Sequence, residues 1–446
     1  MSETRFSYSL DDLRQKSADV LQLAKAAGAS SAEAEVSLGI GQNVSVRLDE
    51  VETIEYNRDK GMSVTVYFGQ RRGHASTSDL SAQALRDTVD AACSIARYTA
   101  HDEFCGLADP ELLATEFPDL DLYHPWDISV EQAIALAKAC EGAAMGVDAR
   151  INNSEGASVS TYEGLFSYAN SNGFNHGYPT SRHSLSCSVI AEAGEDMQRD
   201  YWYSTARASQ DIDSAALVGR KAGERTVRRL QARQLKTMQV PVLFDASIAG
   251  GLISHFVSAI SGGSLYRKSS FLLDSIGKQV FAPHIQLAEL PHLPRGLASS
   301  PFDNEGVATC SRDLVKDGVV QGYVLSSYSA RKLGLTTTGN AGGSHNLVLQ
   351  SGELDFDGLL QAMHTGLWVT ELLGHGINMV TGDYSRGAAG FWVENGQIQY
   401  PVEEITIAGN LKDMFRQIVA VGSDVLVQGS KRTGSILIER MTVAGQ

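Results

Sequence analysis

The sequence is poor in cysteine and in basic residues, and each shortage excludes a class of protein. Only five of its 446 residues are cysteines, and none forms a CxxC pair, so the sequence predicts neither a disulfide framework nor a zinc ribbon. Lysine and arginine number 37 against 52 aspartates and glutamates, a formal net charge of −15. Because a nucleic-acid footprint needs a basic face, we expect no direct nucleic-acid binding.

Signals for a membrane or a secretory route are also missing. No apolar run reaches the roughly 18 residues that indicate a membrane-spanning helix, and Met1–Leu10 is mostly polar, without the apolar core of a leader peptide. We therefore expect a cytoplasmic protein that does not contact a membrane. The length predicts two to three domains, each large enough to bury its own core.

The first half of the chain predicts a repeated unit of helix, antiparallel strands and helix. Leu10–Ala27 and Ser81–Tyr98 show a helical apolar period. Between them lie four short alternating runs and a turn, at Ala34–Leu48, Thr53–Tyr56, Asp59-Lys60-Gly61, Ser63–Phe68 and His74–Ser76. The order begins again with predicted helices at Ser129–Met145 and Ile212–Gln231. We predict α+β domains over residues 1–110 and 111–235, with a glycine-rich binding loop at Asn170–Ser184.

Residues 236–446 predict a mostly β domain. Val240–Phe244 is strand-like, and Asp245 is suited to cap a helix over Ala246–Ser261. Many short strands with turn residues between them indicate a barrel or sandwich, so the predicted fold class is α+β. Asn395-Gly396 favours a type I′ hairpin turn, and Asn410 is suited to cap a helix that begins at Leu411.

Four motifs in this last domain resemble a known family. They are SGGSLYRKSSFLLDSIGKQV (Ser261–Val280), GLASSPFDNEGVAT (Gly296–Thr309), SSYSARKLGLTTTGNAGG (Ser326–Gly343) and GDYSRGAAGFWVENGQIQYPVEEITIAGNLKDM, which begins at Gly382. Their content and order resemble the PmbA/TldD family, and in particular its PmbA (TldE) branch. The resemblance covers the C-terminal half closely and the N-terminal half more loosely.

The resemblance bears on metal binding. Members of the TldD branch carry HExxxH, two histidine ligands for zinc and a glutamate base, on the helix that corresponds to Ala246–Ser261. Alignment on Tyr266-Arg267-Lys268 places Ser254, His255 and Ala259 at the positions of the first histidine, the glutamate and the second histidine, respectively. The family's further thiolate ligand also lacks a counterpart, because Cys310 is the last cysteine. We therefore expect no catalytic residue and no metal on this chain, with zinc on a TldD-type partner.

The same resemblance implies a function in a complex. A PmbA-type chain is expected to pair with a TldD-type chain as a cytosolic metalloprotease for unfolded peptides, including antibiotic leader peptides and labile antitoxins. This chain would supply part of a cavity and a sheet edge for the substrate strand. We expect a dimer, which is a homodimer when the chain is alone. The alternative is a homodimeric regulator that binds peptides or proteins without hydrolysis.

Other polar residues are candidates for contacts or for false leads. Asp383, Tyr384, Ser385 and Arg386 lie in a predicted loop, either with an ion pair between Asp383 and Arg386 or with contacts to substrate or partner. His375 lies near Glu371, but no metal-binding helix is predicted there. The serines Ser326, Ser327 and Ser385, with His345, His375 and Asp383, lack the GxSxG elbow of a serine hydrolase. The glycine-rich Gly339–Gly343 lacks the GK[ST] ending of a phosphate-binding loop, so we favour structural roles for all three groups.

Overall fold

The computed structural model describes residues 5–445. The prediction that Met1–Leu10 lacks a leader peptide concerns residues 1–4 in part, and these lie outside the described residues. The first half contains α1 (Leu10–Ala26), β1 (Ser31–Arg47), β2 (Glu50–Phe68), β3 (Arg71–Thr77), α2 (Ala82–Tyr98), α3 (Val130–Met145), β4 (Ile151–Asn170), β5 (Asn175–Ala193), β6 (Asp196–Ala206) and α4 (Ala215–Val227), with short 3-10 turns at Pro110–Leu112 and Ser209–Asp211. The order helix, three strands, helix therefore occurs twice, which confirms the predicted repeat.

All six strands of this half form one antiparallel sheet in the order β3-β2-β1-β4-β5-β6. The two repeats meet where β1 pairs with β4 over residues 33–46. Helices cover one face of the sheet, so β1 alternates between buried and partly exposed residues except over Gly39–Asn43. One apolar cluster lies under α1 and α2 and a second lies under α3 and α4. The predicted boundary between the domains at residues 1–110 and 111–235 stays a prediction.

Several predicted breaks in this sheet are wrong. Asp59-Lys60-Gly61 lies inside β2, where it pairs with residues 37–39 of β1 instead of turning. The predicted loop Asn170–Ser184 is a short turn followed by the first part of β5. Gly177 lies in that strand, and the position requires glycine because a Cβ there would lie 2.2 Å from the Phe166 carbonyl oxygen. In both places, hydrogen bonds to a neighbouring strand outweigh the local preference for a turn.

The second half is built on β strands. It contains β7 (Met238–Phe244), α5 (Ala246–Ala259), α6 (Gly262–Tyr266), β8 (Leu287–Glu289), β9 (Arg312–Lys316), β10 (Val319–Val320), α7 (Ser327–Leu333), β11 (Leu347–Leu349), α8 (Phe356–Met363), β12 (Gly366–Leu373), β13 (Asp383–Glu394), β14 (Gln397–Asn410), α9 (Leu411–Arg416), β15 (Ile418–Val421), β16 (Lys431–Arg432) and β17 (Ile436–Ala444). One sheet has the order β14-β13-β12-β7-β17-β15, and a further pairing of β14 with β17 closes a barrel. The barrel prediction is confirmed. A smaller sheet has the order β10-β9-β8-β11-β16.

Local signals in this half have mixed outcomes. The predicted I′ turn is confirmed, since Asn395 and Gly396 have φ of 50° and 70°. Asn410 accepts a hydrogen bond from the Lys412 amide at the start of α9, as predicted. The segment Gly382–Gly387, predicted as a loop, instead enters β13 at Asp383. No helix in residues 5–445 is long and apolar enough to cross a membrane.

Candidate functional site: the cleft along helix α5

Helix α5 leaves the barrel directly after β7 and is fixed there by its first residues. The Asp245 Oδ1 atom accepts a hydrogen bond from the Ser247 amide at 3.0 Å, and Trp368 Nε1 donates to Asp245 Oδ2 at 3.2 Å. The apolar side of the helix packs into the barrel core, with Leu252, Ile253 and Phe256 buried. This packing leaves the polar side of α5 facing a cleft, which we call the α5 cleft.

The α5 cleft is a cavity of about 440 Å³ between α5, strand β6 and the segment before β16. Gln428 links its two walls, because its Nε2 donates to the Tyr203 carbonyl oxygen at 2.7 Å. Lys431 enters from the barrel side, and burial lowers the pKa of its amine. A Cβ at Gly250 would lie 3.6 Å from the Lys431 side chain, which is an ordinary van der Waals distance.

A second cavity of about 410 Å³ adjoins the first, and its walls share Tyr203, Ser247 and Gln428 with it. We call it the arginine cavity because Arg199, Arg225 and Arg386 line it. The first two of these arginines are engaged: Arg225 Nε lies 3.2 Å from Asp200 Oδ1, and Arg199 pairs with Glu155 at 3.1 Å. The arginine cavity therefore joins charges from β6 and α4 with one from the barrel.

Arg386 differs from the other arginines of this cavity. Its Nη2 donates to the Leu372 carbonyl oxygen at 3.3 Å, and among the described residues its buried Nε has no hydrogen-bond partner. No carboxylate of the described chain forms an ion pair with it. A guanidinium placed in this way can bind a carboxylate or a carbonyl oxygen of a ligand.

The three positions aligned with the HExxxH motif point in different directions on α5. Ser254 lines the α5 cleft, and its Oγ donates to the Gly250 carbonyl oxygen at 3.0 Å. The His255 ring lies edge-on to Tyr384, with ring centres 6.0 Å apart. Burial, and then the positive charge of Arg386, lower the pKa of His255 and favour its neutral form. Ala259 is fully buried in the barrel core.

These side chains do not fit a zinc site. A methyl group in the core, a hydroxyl and a single imidazole supply one nitrogen ligand, fewer than a catalytic zinc site takes from the protein. Across residues 5–445, no three histidine, cysteine, aspartate or glutamate side chains are grouped so that they could hold a metal ion. The α5 surface is therefore suited to polar contacts rather than to metal coordination.

The four residues at the start of β13 alternate between the two faces of the strand. Asp383 is exposed and accepts hydrogen bonds from Thr381 Oγ1 at 2.6 Å and from Asn410 Nδ2 at 3.0 Å. Tyr384 is buried, and burial raises its pKa to about 12. Arg386 lies on the opposite face from Asp383, so the suggested ion pair between them is wrong. Of the four residues, only Arg386 lines the arginine cavity.

The residues that Sequence analysis treated as false leads have structural roles in the fold. Glu371 lies in strand β12 and pairs with Arg229 at 2.5 Å, so no helix carries it together with His375. Ser326 caps α7, while His345 is buried and lies 3.1 Å from a Glu289 oxygen. Gly339–Gly343 turns tightly, with positive φ at Gly339, Gly342 and Gly343.

Sequence reasoning missed most of this site. Tyr203, Gln428 and Lys431 carry no motif, and Arg199 stands in an ordinary alternating strand. Only their position beside α5 makes them candidates. The alternation of β6 could have indicated a half-buried strand, but not that its edge would face a helix about 50 residues further along the chain.

Comparison with known proteins bears directly on this fold and site. Three family models match consecutive parts of the chain, described as PmbA/TldA metallopeptidase domain 1 (residues 32–96), central domain (residues 123–230) and C-terminal domain (residues 237–445). The matches include both cavities and the helix between them.

Curated relatives are similar over nearly the whole length. The chain is 53% identical to the metalloprotease PmbA of Escherichia coli O157:H7, over 93% of this chain and 92% of the relative. It is 49% identical to a metalloprotease PmbA homolog of Haemophilus influenzae, over 97% and 96%. A metalloprotease TldD homolog of the same organism is 24% identical over 82% of this chain and 80% of the relative.

A solved structure agrees with the fold described above. The crystal structure of a Bacteroides thetaiotaomicron protein, described as a proposed modulator of DNA gyrase, matches with a TM-score of 0.92 and 30% identity. The match covers 97% of this chain and 99% of that chain. With motifs, fold and full-length relatives in agreement, the chain belongs to the PmbA/TldD family of metallopeptidases.

Proposed function

We propose that this chain is the metal-free, substrate-holding subunit of a TldD/PmbA-type peptidase in the cytosol. The observation that carries the proposal is the surface of α5, which offers Ser254, His255 and the buried Ala259 in place of a zinc-binding set. A TldD-type partner would then supply the metal centre. The chain's similarity to both PmbA-type and TldD-type relatives supports such an assembly.

The edge of strand β6 is our candidate for the peptide's main-chain contacts. The Tyr203 carbonyl oxygen accepts a hydrogen bond from Gln428, and the Tyr201 amide donates to Asp200 Oδ1 at 2.7 Å. Because N–H and C=O groups of alternate residues point to opposite sides of an antiparallel strand, these residues direct their backbone away from β5. An extended peptide could exchange these side-chain contacts for strand pairing, which reads little sequence and suits unfolded substrates such as leader peptides and antitoxins.

The arginine cavity would add a preference for negative charge. A peptide paired with the β6 edge passes beside the cavity lined by Tyr201 and Arg386. Because the guanidinium of Arg386 forms no ion pair within the described chain, a substrate carboxylate could form one there. We therefore propose that Arg386 holds an acidic side chain or the carboxyl terminus of the peptide.

The division of labour is tested by mixing subunits. The purified chain, a TldD-type chain, and both together are assayed on an unfolded peptide with and without a chelator, and the zinc content of each is measured. We expect cleavage only by the pair, loss of cleavage in chelator, and less than about a tenth of an equivalent of zinc on this chain alone. Cleavage by the single chain contradicts the proposal, whereas peptide binding without cleavage in every mixture favours the alternative, a regulator.

The role of Arg386 is tested with Arg386→Gln in the assembled pair. Loss of a charged hydrogen bond, worth about 1.5–3 kcal/mol, should raise KM for acidic peptides by about 10-fold or more, with little change for neutral peptides. Ser385→Ala is the matched control, since Ser385 is the exposed neighbour on the other face of β13. Equal losses for acidic and neutral peptides would contradict a charge-reading role.

A further inference from the structure

The two cavities beside α5 follow one another along the outer edge of strand β6. Tyr201 lines the arginine cavity alone, whereas Tyr203 lines both that cavity and the α5 cleft. The two tyrosine rings stack on the same face of the strand, with ring centres 6.3 Å apart. Side chains two positions apart in a strand share a face, and so do residues directly opposite each other on paired strands. A peptide paired with this edge therefore presents two side chains, two positions apart, to the two cavities in turn.

The α5 cleft differs from the arginine cavity in its charges. Its cationic side chains are Arg182 and Lys431, and none of the described residues that line it is an aspartate or a glutamate. The wall of the arginine cavity, in contrast, includes Asp200 and Glu371. In a chain with a formal net charge of −15, the α5 cleft is a local reversal of sign that favours an anionic occupant.

Both cations of the cleft are placed to meet a ligand. Burial lowers the pKa of the Lys431 amine, and no carboxylate of the described chain opposes that shift. Arg182 is exposed, and its Nε donates to the neutral hydroxyl of Thr205 at 3.3 Å. A carboxylate that enters the cleft would form charge-assisted hydrogen bonds with these two side chains.

Helix α5 leaves room for such a group. It presents only small residues to the cleft, namely Ala246, Ser247, Gly250, Gly251 and Ser254. A Cβ at Gly251 would have no atom within 4 Å. The cleft of about 440 Å³ is therefore open to a side chain that comes from the peptide.

We infer that the two cavities together select peptides with acidic residues two positions apart. One carboxylate would bind Arg386 in the arginine cavity, and the other would bind Lys431 and Arg182 in the α5 cleft. This selection rests on the proposed function, because it requires a peptide paired with the β6 edge, and it adds a second site and a spacing to the contact at Arg386. Adjacent acidic residues would not reach both cavities, since neighbours in an extended chain point to opposite faces.

Matched peptides test the spacing. Three labelled, unfolded peptides differ only in a central segment, which is Glu-Ser-Glu-Ser, Glu-Glu-Ser-Ser or the neutral Gln-Ser-Gln-Ser. Fluorescence anisotropy with the purified full-length chain gives the affinity of each. We expect the first to bind about 10-fold more tightly than the second, which has the same composition and charge, because both charged contacts form at once. The neutral peptide should bind most weakly.

The outcomes separate this inference from the proposed function. Equal affinities for the two acidic peptides would overturn the inference and leave the peptide-holding role intact. Absence of binding by all three peptides would overturn the proposed function together with the inference.

Lys431→Gln tests the second site. It should lower the affinity for the Glu-Ser-Glu-Ser peptide by about 10-fold and leave that for Glu-Glu-Ser-Ser nearly unchanged, because the latter needs only Arg386. Lys431→Arg keeps the charge and should keep the preference. Lys278→Gln is the matched control, since this exposed lysine lines neither cavity and its loss removes the same charge. Near-UV circular dichroism checks that the variants are folded. Equal losses for both acidic peptides in folded Lys431→Gln, or the same loss in Lys278→Gln, would overturn the inference.

Discussion

The open sheet of the first half and the closed barrel of the second half handle strand edges in opposite ways. In β1, buried residues alternate with partly exposed ones because helices cover one face of the sheet. In β13, Ala388–Val393 are buried without a break, since both faces of the barrel wall are packed. Among the described residues, the open sheet keeps unpaired edges at Glu50–Gly61 of β2 and along β6, whereas pairing of β14 with β17 closes the barrel ring.

This contrast indicates a division of tasks within the chain. The barrel is suited to hold α5 and Arg386 in fixed positions, because its ring of strands leaves little freedom. The open sheet offers backbone groups to partners. The proposed contact with a peptide at β6 therefore uses the open sheet.

The largest expected effect comes from opening a hole beside the barrel. Phe256 is fully buried and packs edge-on against Phe281 and Phe415, so Phe256→Ala should lower the free energy of unfolding by about 3–5 kcal/mol. Ile54 lies in β2 and is 45% exposed, so Ile54→Ala should change the free energy of unfolding by less than about 0.5 kcal/mol. Urea unfolding measures both. Equal losses would contradict the contrast between the packed barrel and the exposed part of β2.

A smaller effect is expected from a buried charge network in the small sheet. Glu289 is 1% exposed, and its carboxylate accepts hydrogen bonds from Arg312 Nε at 2.8 Å and from the His345 amide at 2.8 Å. Burial alone would raise the pKa of Glu289, but the hydrogen bond with the His345 side chain, the charge of Arg312 and the His345 amide lower it to about 2. Glu289→Gln should therefore cost about 2–3 kcal/mol at neutral pH.

The pH dependence of that variant has a defined sign. Because the pKa of Glu289 is lower in the folded state than its ordinary value of 4.5, its stabilising effect is present above pH 4.5 and is lost as the pH falls toward 2. The gap between wild type and Glu289→Gln in urea midpoint should narrow over that range. The exposed Glu353 provides the control, since Glu353→Gln should leave a small and constant gap.

The smallest expected effects compare two glycines in the helices that cover the open sheet. A Cβ on Gly219 would lie 2.0 Å from the Cys140 carbonyl oxygen, so Gly219→Ala should force α3 and α4 apart at a cost of about 1–3 kcal/mol. Gly142 has no atom within 4 Å of that position, so Gly142→Ala should stabilise α3 by about 0.5 kcal/mol. Thermal unfolding of both variants checks the opposite signs. Destabilisation by both would contradict the tight α3–α4 contact.

Short-range signals in the sequence predicted helices and tight turns well. Predicted Leu10–Ala27 and Ser81–Tyr98 match α1 and α2 within one residue at each end, and Asp245 caps α5 as expected. Such features depend on residues a few positions apart. The predicted long helix Ile212–Gln231 is shorter, Ala215–Val227, because a 3-10 turn precedes it.

Long-range pairing explains the errors. The predicted turn at Asp59-Lys60-Gly61 lies inside β2, because β1 supplies pairing partners along that stretch of the strand. A single sequence does not reveal which strand lies beside which.

By itself, the sequence determined the helix caps, the hairpin turn at Asn395-Gly396, the α+β class and, through its motifs, the family. These properties depend on residues that are neighbours in the chain. Only the tertiary structure decided that Arg386 would lie beside Arg199 and Arg225, and that Ala259 would face the core while Ser254 faces a cleft. The reason is that cavities and sheet edges form between segments far apart in sequence, where packing rather than local preference selects the neighbours.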